Sequence, residues 1–337
     1  MRPWPGRRSV KILPDSDGFS RTLAGIGAAA AALAGALRPD GLATAARGTA
    51  VPFLEVGAVV LAGWVAVRLG VFRRAARLPR RWPSAARVAV ALLMTAAIGG
   101  LVNLDVAVVV TMPVAMAMAA ESGLAAGALA VAVANTANAT SFLLPTSNLT
   151  TLLVLRSNAP SFRTYAAGSW IGWLAVTVTT VACLVPIAAR RESGWTSPLR
   201  PRGADWSLAR IAMDLGAMFL LASGLRTFLP AGLTLPGGFA TQVLAASALA
   251  SAADNLPAAA VVHGGGGAIG PWAAILAMSA GANLFVVGSV ATVLCRRLAR
   301  ESGAAFSVWR FTAVGVALLP IQIAVACAGL RLSGAIR

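Results

Sequence analysis

Apolar residues fill this chain in long blocks, and the polar positions that interrupt them are few enough to read singly. Blocks of roughly 20 apolar residues predict membrane-spanning helices. They fall at Thr22–Leu37, Val51–Phe72, Tyr165–Ala189, Leu208–Leu229 and Phe311–Leu330. The first has the length of a signal-peptide core. No clear A-x-A site follows it and the next block is also apolar, so it reads as a retained helix.

The remaining blocks do not fit plain spans. Val88–Ala120 centres on Gly99, Gly100, Asn103 and Asp105, which predicts a re-entrant hairpin (88–120) of two half-helices with Asn103-Leu104-Asp105 at its tip. Leu124–Leu155 contains Asn135, Asn138, Ser141, Pro145, Ser147, Asn148 and five threonines, all between Asn135 and Thr151. Backbone that leaves the helix at membrane depth survives only when buried in protein or lining a wet cavity. A broken helix (124–155) follows from that constraint. Phe239–Val262 carries Asp254-Asn255-Leu256-Pro257 and reads as a second hairpin (239–262). Trp272–Leu294, with Asn283, Gly288, Ser289 and Thr292, reads as a second broken helix (272–294).

These elements fall into two copies. Glu55-Val56-Gly57-Ala58 matches Asp214-Leu215-Gly216-Ala217, Asn103-Leu104 matches Asn255-Leu256, Asn138 matches Asn283, and Ser147-x-x-Thr150 matches Ser289-x-x-Thr292. The expected organisation is a cytoplasmic tail (1–20), a first repeat (21–155), a second repeat (165–300) and a final transmembrane helix (306–337). Each copy has three crossings and a hairpin, so the second is inverted. The fold class is an all-α polytopic membrane protein of two inverted repeats, each with a re-entrant hairpin and a broken helix.

Composition agrees with that class: 58% of residues are hydrophobic and 12% charged, against about 25% charged in an ordinary soluble domain. The net charge of +17 would suggest nucleic acid in a soluble protein. With the N-terminus inside, 20 of the 28 basic residues fall in cytoplasmic segments, including Arg73–Arg87 and Arg190–Arg210. The positive-inside rule accounts for them, and no nucleic-acid partner is needed. The expected location is the inner (plasma) membrane of a bacterium, with a cytoplasmic N-terminus. Cys183, Cys295 and Cys327 have no metal or redox spacing, and His263 stands alone before a glycine run.

Glu55, Asp105, Asp214 and Asp254 lie within apolar blocks, and intramembrane carboxylates point to function. Asp105 and Asp254 sit at the two tips beside Asn103 and Asn255. There they suit a proton or cation site, or alternatively cap half-helices and hold the turns. Glu55 and Asp214 read as scaffold groups paired with Arg68 or Arg226. Asn138, Ser147, Asn148, Thr150, Asn283, Ser289 and Thr292 offer neutral donors and acceptors for a small oxyanion or hydroxylated solute. Oxygens of Asn103, Ser147, Asn148, Asn255 and Ser289 suit Na⁺, and the alternative for such groups is helix–helix hydrogen bonding. No H-E-x-x-H, G-x-S-x-G or paired catalytic Asp motif is present, and one histidine is available, so an intramembrane enzyme is not expected.

Asn103-Leu104-Asp105 with Thr111-Met112-Pro113 resembles the first hairpin of arsenite-efflux permeases. Asn135-Thr136-Ala137 with Leu144-Pro145-Thr146-Ser147-Asn148-Leu149-Thr150 resembles that family's N-T-A…L-P-x-S-N-L, and Gly281-Ala282-Asn283 with Gly288-Ser289-Val290-Ala291-Thr292 resembles its G-x-N…G-S-x-A-T. Asp254-Asn255-Leu256-Pro257 stands where the family shows N-N-x-P. The family belongs to the ion transporter superfamily, with citrate and dicarboxylate carriers as relatives. The resemblance implies elevator-type movement of a transport domain, with tip and break residues lining the substrate and coupling-ion site. It also implies a scaffold of the first two helices and their repeats that often forms a homodimer. Arsenite or antimonite efflux, coupled to H⁺ or Na⁺ or fed by a partner ATPase, is the leading reading. A citrate or dicarboxylate carrier and a non-transporting scaffold are the alternatives. No cofactor is expected.

Overall fold

The computed structural model describes residues 18–69, 82–155, 161–191, 208–228, 237–262 and 269–336. Most of the tail, Arg73, Arg74, Arg77, Arg80 and Arg81, His263 and the glycines Gly264–Gly267 lie outside the described residues. The described chain is built of helices: α1 (Gly18–Leu37), α2 (Pro39–Arg68), α3 (Ser84–Leu101), α4 (Leu104–Ser122), α5 (Ala126–Ala139), α6 (Leu149–Leu155), α7 (Phe162–Ala188), α8 (Leu208–Phe228), α9 (Phe239–Ala253), α10 (Asn255–Val261), α11 (Ile269–Ser279), α12 (Val290–Glu301) and α13 (Val308–Leu332). Among the described residues, seven helices (α1, α2, α3, α4, α7, α8 and α13) are long and apolar enough to cross a membrane. The protein is a helical, multi-pass membrane protein.

Three boundaries differ from the sequence expectation. The second helix starts well before the expected Val51: α2 begins at Pro39, with proline in the first turn and Asp40 beside it. Proline needs no helical donor there, and a carboxylate complements the helix dipole. The limbs of the first hairpin are not half-helices. α3 and α4 have 18 and 19 residues and are joined through only Val102 and Asn103. In the second hairpin α9 has 15 residues and α10 only 7.

Arg87, Arg296 and Arg297 do not sit in solvated loops. Arg87 is in the first turn of α3 and the other two are in α12, and all three are buried.

α1 and α2 diverge from Arg38 and clasp α8 between them. Gly27 of α1 meets the Ala217 carbonyl, and Gly224 of α8 meets Ala30, so these two helices run parallel at close approach. α2 runs the other way: Thr49 hydrogen-bonds to Ser223 at 2.8 Å, and Phe53 packs edge-on against Phe219. α3, α4, α7, α12 and α13 surround α5, which is buried along nearly its whole length. Two apolar clusters form the core. One gathers α3, α4, α5 and α12 with the inner faces of α1, α2 and α8, the other α7, α9, α11 and the later part of α13. The chain passes from one cluster to the other at both helix interruptions, with Ala137 in the first and Ala139 in the second.

A side chain at Gly27 would overlap backbone, whereas Gly57 and Gly216 face open space. Gly27→Val should therefore destabilise the detergent-solubilised protein by about 1–3 kcal/mol through overpacking. Gly57→Val should leave the thermal unfolding midpoint nearly unchanged.

Candidate functional site

The first interruption runs from Thr140 to Asn148, and it frees backbone carbonyls inside the protein. α7 satisfies three of them from one face. Trp173 Nε1 donates to Thr140 O (2.9 Å), Tyr165 Oη to Phe142 O (3.0 Å) and Ser169 Oγ to Leu143 O (2.6 Å). Residues four apart share a helix face, so the 165/169/173 spacing was a signal within a block that otherwise reads as a clean span. Each bond removes the cost of a buried, unpaired carbonyl.

The second interruption repeats the local backbone of the first. Leu144 and Phe285 are both extended, a single 3-10 turn follows each (Pro145–Ser147 and Val286–Gly288), and Asn148 and Ser289 are extended again before α6 and α12 begin. The same hydrogen bonds recur, Thr151 N to Asn148 O at 2.9 Å and Thr292 N to Ser289 O at 3.0 Å. Ser289 therefore corresponds to Asn148, one residue away from the Ser147 match drawn from sequence. The hairpins show the same offset. Asn103 caps α4 by accepting from Asp105 N at 2.7 Å, and Asp254 caps α10 by accepting from Leu256 N at 3.3 Å. Asp254, not Asn255, is the counterpart of Asn103.

The two interruptions are tied to each other. Asn138 Nδ2 donates to Asn283 Oδ1 (2.9 Å) and Thr292 Oγ1 (2.7 Å), and Asn283 Nδ2 donates to Asn135 O (3.0 Å). Ser141 Oγ donates to Asn138 O and accepts from Asn148 Nδ2, which extends the network to the start of α6. Gly315 of α13 meets the Asn283 carbonyl in the space a side chain would occupy.

A cleft of about 360 Å³, open solvent included, lies where hairpin tips and interruptions meet. Asp105, Asn148, Thr150, Asn255 and Ser289 line it, with Phe53 and Val56 of α2 as an apolar wall. Four helices start at this cleft: α4 at Leu104, α6 at Leu149, α10 at Asn255 and α12 at Val290. Helix N-termini carry partial positive charge and unpaired N–H groups. Three of these starts are capped internally, by Asn103, by Asn148 (accepting from Thr150 N at 3.1 Å) and by Asp254. α12 has no side-chain cap. The Thr150 hydroxyl is buried without a partner.

The predicted site residues thus divide by role. Asp105, Asn148, Thr150, Asn255 and Ser289 come together on the cleft. Asn138, Asn283 and Thr292 bind the broken helices to each other. Ser147 turns back onto Leu144 O at 2.6 Å, and Asn103 is engaged in its cap. Of the residues whose oxygens were expected to suit Na⁺, Asn148, Asn255 and Ser289 line the cleft, while the side-chain oxygens of Asn103, Ser147 and Asn148 are bonded within their own turns. Asp254 is fully buried, its Oδ2 atom has no hydrogen bond, and it is the one non-glycine residue with positive φ among the described residues (φ 71°, ψ 144°). Strain of that kind costs about 1–3 kcal/mol and concentrates at functional sites. Among the described residues no three His, Cys, Asp or Glu side chains gather as metal ligands.

Asn138→Leu should cost about 2–4 kcal/mol, because it strands Asn283 and Thr292 in the core. Ser147→Ala, which removes one bond within a turn, should cost about 1 kcal/mol. Thermal or denaturant unfolding of the purified protein measures both.

No protein-family model, no curated protein and no solved structure matches this chain.

Proposed function

We propose that this chain is a secondary active transporter that moves a small hydroxylated solute or oxyanion, with arsenite or antimonite efflux as the leading case. The observation that carries the reading is the cleft at which two hairpin tips and two helix interruptions meet, each contributing a helix start. Paired broken helices around a shared site are a recurrent arrangement of secondary transporters. A scaffold without transport activity has no use for a polar cleft between the interruptions. The lining mixes an acceptor, the Asp105 carboxylate, with donors: the uncapped N-terminus of α12 and the hydroxyls of Ser289 and Thr150. None of the residues lining the cleft is basic. An uncharged polyol-like species such as arsenious acid can both donate to Asp105 and accept from the helix start. A citrate or dicarboxylate ligand would instead meet the Asp105 carboxyl with no basic side chain opposite, which makes that carrier the weaker reading.

In this reading α1, α2 and α8 form the frame, and the inverted repeats move the cleft past it by an elevator-type step. Asp254 belongs to the coupling machinery, carrying H⁺ or helping to hold Na⁺. The chain works in a bacterial inner membrane with its N-terminus inside, as a homodimer through the frame, with or without a partner ATPase.

The test is uptake by proteoliposomes of the purified full chain, scanning arsenite, antimonite, citrate and succinate with and without Na⁺ or a pH gradient. Saturable arsenite or antimonite uptake is expected, with at least a tenfold loss, roughly 1.4 kcal/mol of stabilisation, on Asp105→Asn. Asp254→Gly should abolish transport while changing folding stability by no more than about 1 kcal/mol, since relief of the strained backbone offsets the lost α10 cap. Silence toward every solute in the panel overturns the proposal.

A further inference from the structure

At its far end from the cleft, α12 makes a second set of contacts that the binding site does not use. Arg297 reaches into the α1–α8 pair and takes Asp214 with both arms, Nε to Oδ2 at 2.7 Å and Nη2 to Oδ1 at 3.1 Å. Its Nη2 also donates to Ser20 Oγ of α1 at 2.7 Å. Glu301 extends the cluster, lying 3.8 Å from Arg297 and 3.4 Å from Arg210 of α8. Arg296 lies over the Phe19 ring of α1, 4.0 Å from its centre. Arg297, Asp214 and Ser20 are all buried.

We propose that Asp214 and Arg297 form a latch between α12 and the α1–α8 pair, closed in this conformer and opened when the cleft-bearing unit moves. The proposal rests on the transport reading only for the movement it invokes. Position is the first argument. α12 carries Val290 at the cleft and Arg297 about 10 Å along the same rigid helix, at 1.5 Å per residue. The state of the pair therefore fixes where one wall of the cleft stands relative to α1 and α8.

The kind of contact is the second argument. A buried ion pair roughly breaks even, because attraction in the closed state is offset by the cost of stripping water from both charges. On opening, Asp214 and Arg297 recover that hydration, whereas a separated apolar contact recovers nothing. A bidentate pair is thus specific in geometry when closed and lets both states be populated. The apolar remainder of the α1–α8 contact, with Gly27 and Gly224 at backbone contact, has no such release and stays together.

The experiment places a thiol reporter in the joint of the full-length protein. Ile211 is buried one turn before Asp214, on the same face of α8. Ile211→Cys supplies the reporter. Cys295, buried in α12 and two residues from Arg297 on a different face, is the internal reference for loosening of the whole fold. N-ethylmaleimide labelling, read by peptide mass spectrometry, is compared with and without Asp214→Asn or the milder Ser20→Ala. The reporter should react at least about tenfold faster with Asp214→Asn and about threefold faster with Ser20→Ala, while Cys295 keeps its rate. An unchanged reporter rate overturns the latch, and so does equal acceleration of the reporter and Cys295, which would mean that the pair holds the fold as a whole. Arsenite transport with an unresponsive reporter removes the latch and leaves the transporter. A responsive reporter in a chain that moves none of the four solutes leaves the latch and removes the transport reading.

Discussion

A backbone opened inside a low-dielectric core must find a partner for every carbonyl and N–H it frees, and the architecture follows from how that demand is met. At the first interruption the partners are Tyr165, Ser169 and Trp173, which fixes α7 against the break. At the second, Ser251 Oγ donates to Gly281 O at 2.7 Å and Asn255 Nδ2 to Met278 O at 3.3 Å, which draws the second hairpin onto the break. Asn138 then joins the two breaks to each other. Among the buried atoms left unsatisfied after these pairings are Thr150 Oγ1 beside the cleft, Asn138 Oδ1 within the joined breaks and Asp254 Oδ2 at the second tip. Groups left in that state can exchange partners with a ligand at little cost, which is why the polar layer reads as a site and not only as glue.

The rest of the molecule divides around that layer. Apolar packing lies on both sides of it, and the interrupted chains cross from one cluster to the other through it. α1, α2 and α8 form a clasp whose helices meet at glycines and through Thr49–Ser223, and whose inner face packs into the first apolar cluster. Its charged attachment to the rest lies at the far end of α12, where Arg297 meets Asp214. Fixed hydrogen bonds thus hold the centre of the cleft-bearing part, and an exchangeable ionic contact helps set its position against the clasp.

The chain's own pattern fixed a good deal of this. Apolar block length gave five of the seven candidate spans, because an uninterrupted apolar helix of sufficient length fits the bilayer, whereas α3 and α4 were expected to be half-helices. The dense Asn, Ser, Thr and Pro content of Asn135–Thr151 and the glycines near Asn283 located both breaks, since such residues cannot continue a lipid-facing helix. The turns at Asn103 and Asp254 were legible for the same reason. The correspondence between the two breaks and between the two tips was legible only to within a residue. Sequence aligns Asn103 with Asn255 by identity, whereas the cap needs a side-chain oxygen accepting from the amide two residues on, which asparagine and aspartate both supply.

Three things were decided by tertiary structure alone. Asp214 pairs with Arg297 and not with Arg226, because α12 brings a guanidinium from 83 positions along the chain into the α1–α8 groove. Hydrophobicity cannot register such a contact, and Arg296 and Arg297 look like any basic loop. Among the polar residues of the breaks, Asn138 turns to its neighbours and Asn148 to the cleft, a choice made by which way each helix faces after the chain leaves its regular turn. The convergence of four helix starts on one cleft also belongs to packing, since sequence places each start but not its direction. Burial and periodicity are properties of local segments and can be read along the chain. Partner choice and the meeting of distant helix ends depend on how those segments are set against one another in space.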